Sequence, residues 1–197
     1  LGCGQREAIA KARRVANPGC YATGFIALVR PLVEQGILPA DAALTAHALS
    51  GYTGGGKKTI AQYEAADREP ELVSPRHYAV NLNHKHIPEM MAVCGLERRP
   101  IFMPIICAFP QGMGGTVPLY LDQLRGEQSV GSLRAVYDDY YRGAAFVKLR
   151  PADAPACGFV GSNNLAGSNE LQIFVCGNDE QVMLAAYKAV GAPKFTP

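Results

Sequence analysis

The sequence predicts an α+β fold in which a mixed, largely antiparallel sheet carries helices packed on one face, and three observations predict it. Strand-like runs outnumber helix-like ones along the 197 residues. Two β-like runs near the C-terminal end flank Gly177-Asn178-Asp179, a hairpin signal that pairs neighbours antiparallel. A composition of 48% hydrophobic and 18% charged residues suits one good-sized core, so residues 1–197 read as a single domain.

The elements follow in order. Residues 7–14 read as a short helix and residues 14–16 as a brief strand leading into Asn17-Pro18-Gly19. Pro18-Gly19 fits the central positions of a type II turn, with glycine supplying a positive φ. From Cys20 the apolar residues Ala22, Phe25, Ile26, Val29, Leu32 and Val33 recur at three and four, a helix period that stops at Gly36. Residues 43–49 alternate as a strand, "SGYTGGGKK" is a glycine-rich loop, and residues 59–66 form a short helix. Residues 78–86 are a second candidate strand. Pro88 and Glu89 open a helix that ends at Gly95. Residues 101–109 and 116–121 read as strands, 129–141 as a helix, and 145–149, 170–176 and 181–186 as strands.

The formal charge of +2 contains no block of one sign, which argues against a nucleic-acid partner. Apolar runs are broken well before the roughly 20 residues a bilayer span requires, and no signal-peptide pattern opens the chain. The expectation is a cytoplasmic protein without membrane contact, whose partners are small molecules or further copies of itself. Six widely spaced cysteines with no Cys-x-x-Cys pair point to reduced thiols. Cys3, Cys94, Cys107, Cys157 and Cys176 carry no functional mark, so packing or surface roles are expected of them. The chain begins at Leu1 without a methionine, so it reads as a piece of a longer polypeptide.

Cys20 is different because of where it falls. A cysteine leaving a tight turn at a helix start meets unpaired amides and the positive end of the helix dipole, which favour thiolate and lower its pKa from about 8.5. The same amides could hold an oxyanion forming beside the sulfur. Against this stands the tendency of free cysteine to pack as a small buried hydrophobe. "NLNHKHIPEM" offers a base, since His84 and His86, two apart on the expected strand, share a face. A structural histidine pair or half of a zinc site are the other readings; zinc would need a further ligand that the sequence does not mark, so no metal is expected.

Asn17-Pro18-Gly19-Cys20-Tyr21, "SGYTGGGKK", His84-Lys85-His86-Ile87-Pro88-Glu89-Met90 and "FPQGMGGTVPLYL", in this order, resemble the N-acetyl-γ-glutamyl-phosphate reductases of the shorter type, over residues 10–186. Aspartate-semialdehyde dehydrogenases are a weaker match, since Thr or Ser usually follows their cysteine. The resemblance implies NADPH-dependent reduction of N-acetyl-γ-glutamyl phosphate to the semialdehyde, a step of arginine biosynthesis, through a thioester on Cys20. It implies His86 as general acid/base, with His84 and Tyr78 in support. Asn17, Ser50 and Gly51 fall on the substrate side, and Lys57 or Lys58 would face the phosphate. It also implies a homo-oligomer, dimer or tetramer, paired through the sheets.

"GYTGGGKK" also satisfies Gly-x-x-x-x-Gly-Lys, but an ATP loop needs Ser or Thr where Lys58 stands. No Gly-x-Gly-x-x-Gly unit is present for a dinucleotide, so the NADP-binding Rossmann domain of the family is expected to be absent, with NADP bound mainly there. Residues 187–197 diverge from the family's usual Asn-Leu-Gly-Lys-Gly-Ala segment. Two further readings remain open at this point, a non-catalytic dimerisation module and a cofactor-free cysteine acyltransferase or hydrolase using Cys20 and His86.

Overall fold

A computed structural model describes residues 5–154 and 158–189. Cys3, Cys157 and residues 190–197 of the divergent tail lie outside the described residues.

The centre of the fold is the helix predicted from Cys20. After a short exposed helix α1 (Gln5–Lys11), α2 (Cys20–Glu34) is apolar on nearly every side, as a helix covered all round must be. Phe25, Ile26, Ala27, Leu28, Val29 and Leu32 are all buried. The other elements are β1 (Thr45–Gly51), α3 (Lys57–Glu64), β2 (Arg76–His77), α4 (Ile87–Cys94), β3 (Ile101–Cys107), β4 (Met113–Tyr120), α5 (Val130–Tyr140), β5 (Val147–Leu149), β6 (Leu171–Gly177) and β7 (Gln181–Lys188).

The seven strands form one sheet in the order β2-β3-β1-β4-β7-β6-β5. β1/β3 and β5/β6 are parallel and the remaining four pairings antiparallel, so the sheet is mixed and largely antiparallel as the sequence predicts. Ala46, Ala48, Val117, Leu119, Leu184 and Ala186 alternate along their strands to face α2, and α4 and α5 pack beside it. The predicted hairpin around Gly177-Asn178-Asp179 joins β6 to β7, with Asn178 capping the turn through its side-chain oxygen. No helix among the described residues is long and apolar enough to cross a membrane.

Three local expectations are corrected. Residues 14–16 form no strand, pair with none of the seven strands and are exposed. Gly19 has φ −61° and ψ 145°, extended rather than the positive φ of a type II turn, and it caps α2 by accepting from the Thr23 N–H. Residues 78–86 are a loop, because Ala79 and Leu82 take positive φ of 51° and 56° and turn the chain out of β2. The turn is closed by the Leu82 N–H to Ala79 and held by Arg99, which donates to Leu82 and Asn83.

Candidate active site

Cys20 is placed by α2, and the loop of residues 78–86 folds over it. Gly19 explains how they meet. A Cβ at Gly19 would collide with the His86 ring, standing 2.5 Å from its Cδ2, so only glycine lets the imidazole lie against the backbone next to the cysteine. Glu89, in the first turn of α4, ties the two segments together by accepting from the Gly19 N–H at 3.1 and 3.3 Å. The imidazole and the cysteine turn are thus fixed from one short helix, which Pro88 starts and Gly95 ends in the left-handed region.

The two histidines come together, though not by strand alternation. Their ring centroids are 4.6 Å apart, and the His86 N–H donates to His84 Nδ1 at 3.1 Å. That bond leaves the His84 proton on Nε2. His84 is buried among the rings of Tyr21, Tyr78 and Phe102, and burial, followed by His86 and Lys85, lowers its pKa to about 4. Burial also lowers His86, partly offset by Glu89, and its Nδ1 is buried without a hydrogen-bond partner among the described residues. Tyr21 donates to Ser50 Oγ at 2.7 Å, and the Tyr78 hydroxyl neighbours that of Tyr21.

The thiol corrects an expectation. Its own and the Tyr21 backbone N–H groups pull the Cys20 pKa down, as a helix start should, and so do Lys188 and Lys85. Burial outweighs them and the net direction is upward. Cysteine and imidazole are therefore both uncharged near neutral pH, a pair ready to exchange a proton rather than a resting ion pair.

Cys20, Ser50, Tyr78, His84 and His86 line one cleft of about 520 Å³. The cations in it are Arg76 and Lys85, and no Asp or Glu lines it. Asn17 is exposed and lies away from this lining. Lys57 and Lys58 stand exposed on the first turn of α3, outside the lining of the cleft, between Gly55 and Thr59, which line it. Gly51 is also outside, because its N–H is spent on the Gly112 carbonyl and the Phe109 and Pro110 carbonyls fill the space beside its Cα. Arg76, Lys85, Glu89 and Tyr21 are site residues that the sequence does not single out; Tyr21, Lys85 and Glu89 lie inside its motifs, while Arg76 carries no local signal. Among the described residues no three His, Cys, Asp or Glu side chains gather to hold a metal.

A dinucleotide needs a glycine turn open to its pyrophosphate. The run after β1 does not fit, since protein carbonyls already occupy the approach at Gly51 and the run continues into a 3-10 turn, Tyr52–Gly55.

This arrangement of sheet and central helix is the fold of solved semialdehyde dehydrogenases. The aspartate-semialdehyde dehydrogenase structure described as probable from Pseudomonas aeruginosa superposes with a TM-score of 0.65 at 13% identity, covering 92% of this chain and 60% of that one. The enzyme II structure from Vibrio cholerae gives 0.63 at 14% identity, covering 92% and 59%. The profile described as "Semialdehyde dehydrogenase, dimerisation domain" matches residues 20–189, and the chain belongs to that family. Its sequence is 46% identical over 190 residues to the N-acetyl-gamma-glutamyl-phosphate reductases of Brucella ovis and Brucella suis, covering 94% of this chain. The chain spans 61% of the length of those relatives.

Proposed function

We propose that the chain is the substrate-binding and catalytic part of an NADPH-dependent N-acetyl-γ-glutamyl-phosphate reductase of arginine biosynthesis, in which Cys20 takes the acyl group. The observation that carries this reading is the cleft itself. A cysteine at a helix start, an imidazole seated beside it on Gly19, and cations without carboxylates suit a dianionic acyl phosphate and repel no part of it. The 46% identity to reductases of that name supports the choice of substrate.

Acylation follows from the protonation states. His86 takes the Cys20 proton as sulfur bonds to the acyl carbon; the carbon–oxygen bond to phosphate then breaks, and phosphate leaves with its electron pair. The helix-start amides of Cys20 and Tyr21 face the charge that develops on the sulfur and the carbonyl oxygen. Arg76 and Lys85 hold the phosphate in the role first expected of Lys57 and Lys58. His84, kept neutral, orients His86 through the backbone it accepts from, and Tyr78 and Ser50 shape the cleft wall. NADPH would supply the hydride that reduces the thioester, and His86 is placed to return its proton to the oxygen of the tetrahedral intermediate. Residues 1–197 act as one catalytic and dimerisation domain, which associates into a homo-oligomer in the cytoplasm.

Mass spectrometry after mixing the chain with N-acetyl-γ-glutamyl phosphate tests this reading. An N-acetylglutamyl adduct on Cys20, absent in Cys20→Ser and formed about 100-fold more slowly in His86→Ala, is expected. No adduct at any pH would overturn the catalytic reading and favour a purely associative domain.

A further inference from the structure

A second polar recess, separate from the cysteine cleft, lies at the end of β7. It has a volume of about 270 Å³ and is lined by Gln111, Ser168, Asn169, Glu170 and Lys188. Lys188 ends β7, is half-buried, and pairs across the sheet with Met113 of β4. The packing of α2 shows where its side chain goes. A Cβ at Gly24 would stand 3.2 Å from the Met113 methyl and 3.7 Å from the Ala186 Cβ, so this turn of α2 lies directly on that part of the sheet. Cys20 is one turn earlier on the same helix face, and Lys188 is two residues later on the same strand face.

From this placement we propose that Lys188 is a positioning residue for Cys20, its ammonium stabilising the thiolate that forms when the proton leaves for His86. The inference rests on Cys20 being the nucleophile, as proposed above. Two observations support it beyond placement. The charges of Lys188 and Cys20 act on each other, each favouring the other's ionised form. Among the described residues no carboxylate forms an ion pair with Lys188, and the carboxylate nearest in the recess, Glu170, accepts from the Gln172 side chain at 3.0 Å. A half-buried ammonium without a carboxylate is costly unless an anion is created beside it, and the thiolate is that anion. The acylation step thus has two aids, a base that removes the proton and a cation that holds the charge left behind.

The test is a titration of Cys20 by iodoacetamide labelling, read by mass spectrometry on its own peptide. The charges acting on the sulfur are Lys188 from β7 and Lys85 from the loop before α4, with His86 in the same cleft and Glu89 of α4 bound to the adjoining Gly19 N–H; Cys20 acts on Lys188, and Glu170 shares its recess. Lys188→Met is expected to raise the apparent thiol pKa by about one unit and slow labelling at neutral pH about tenfold. Lys188→Arg restores the parent value, and Lys85→Met gives a smaller shift than Lys188→Met. Circular dichroism and thermal melting of each variant report folding; should Lys188→Met unfold, Lys188→Gln against Lys188→Arg makes the same comparison. Equal pKa values in the parent and the charge-removing variants would overturn the proposal. Because labelling requires no acyl phosphate, a shift without acylation would sink the reductase reading alone, and acylation without a shift would sink the role of Lys188 alone.

Discussion

His84 shows how one residue couples the site to the stability of the fold. Buried and accepting a backbone N–H through Nδ1, it has a place for the neutral ring only, and its pKa falls from the ordinary 6.5 to about 4. Because the folded pKa lies below the unfolded one, the unfolded chain binds more protons between these values. Stability is therefore complete above about pH 6.5 and drains away as pH falls toward 4, after which this residue contributes no further slope. The integrated effect is about 3 kcal/mol, and His84→Gln should flatten that part of the profile. Urea denaturation at pH 7 and pH 4.5 measures it; an equal pH slope in parent and variant would show that the neutral ring is not what the loop requires.

At the scale of elements, α2 holds an apparent contradiction, since Pro31 sits inside a 15-residue helix. Proline lacks the N–H that the Ala27 carbonyl would accept and its ring crowds that carbonyl. The structure answers from α5 and its C-cap. Tyr141 donates to the Ala27 carbonyl at 2.8 Å, and Tyr137, fully buried, donates to the adjacent Leu28 carbonyl. Tyr141→Phe should cost about 1–2 kcal/mol, for it leaves a buried carbonyl without a donor. The same change in a Pro31→Ala background should cost less, because the alanine N–H at that position then returns to the Ala27 carbonyl. A double-mutant cycle by urea denaturation measures the difference, and strict additivity would refute the link. Helix periodicity places α2, the Pro88 start and Gly95 stop place α4, and the hairpin signal places β6 and β7, each to within a few residues. Such signals cannot show that Tyr137 and Tyr141, which look like ordinary helix-face tyrosines, answer a proline more than a hundred residues earlier. The motif around His84 and His86 is legible for a different reason from strand alternation: a strand would have aligned the rings, but a loop bent by Ala79 and Leu82 does so instead. Lys57 and Lys58 stand just outside the cleft lining, although Gly54, Gly55 and Thr59 on either side of them line it, a distinction that neighbours in sequence do not reveal. Arg76, brought to the cleft by pairing β2 with β3, is visible only in the folded sheet.

The whole molecule poses one question that the cleft does not, namely what covers the sheet face turned away from α2. Ile101 and Met183 remain 48% and 39% exposed on strands, and Thr45, Pro118, Tyr120, Cys176 and Met183 border a shallow hollow of about 650 Å³. An antiparallel sheet can leave one face to water, but that face then carries polar side chains at alternate positions. Here isoleucine, proline, tyrosine and methionine stand where charge would be expected, and an apolar expanse of this kind belongs to an interface. The matched family is described by dimerisation, and the homo-oligomer proposed above would take this apolar sheet face as its interface, with a second copy of the chain as occupant. Met183 pairs with Pro118 on one side and Cys176 on the other, so it lies inside that expanse rather than at its rim. Met183→Glu should therefore bury an unpaired charge in the assembly while leaving the monomer's core untouched, raising the dimer dissociation constant by about 100-fold or more. Sedimentation equilibrium at micromolar concentration separates the outcomes. Monomers with an unchanged circular dichroism spectrum place the interface on this face, whereas a dimer of unaltered affinity moves it elsewhere.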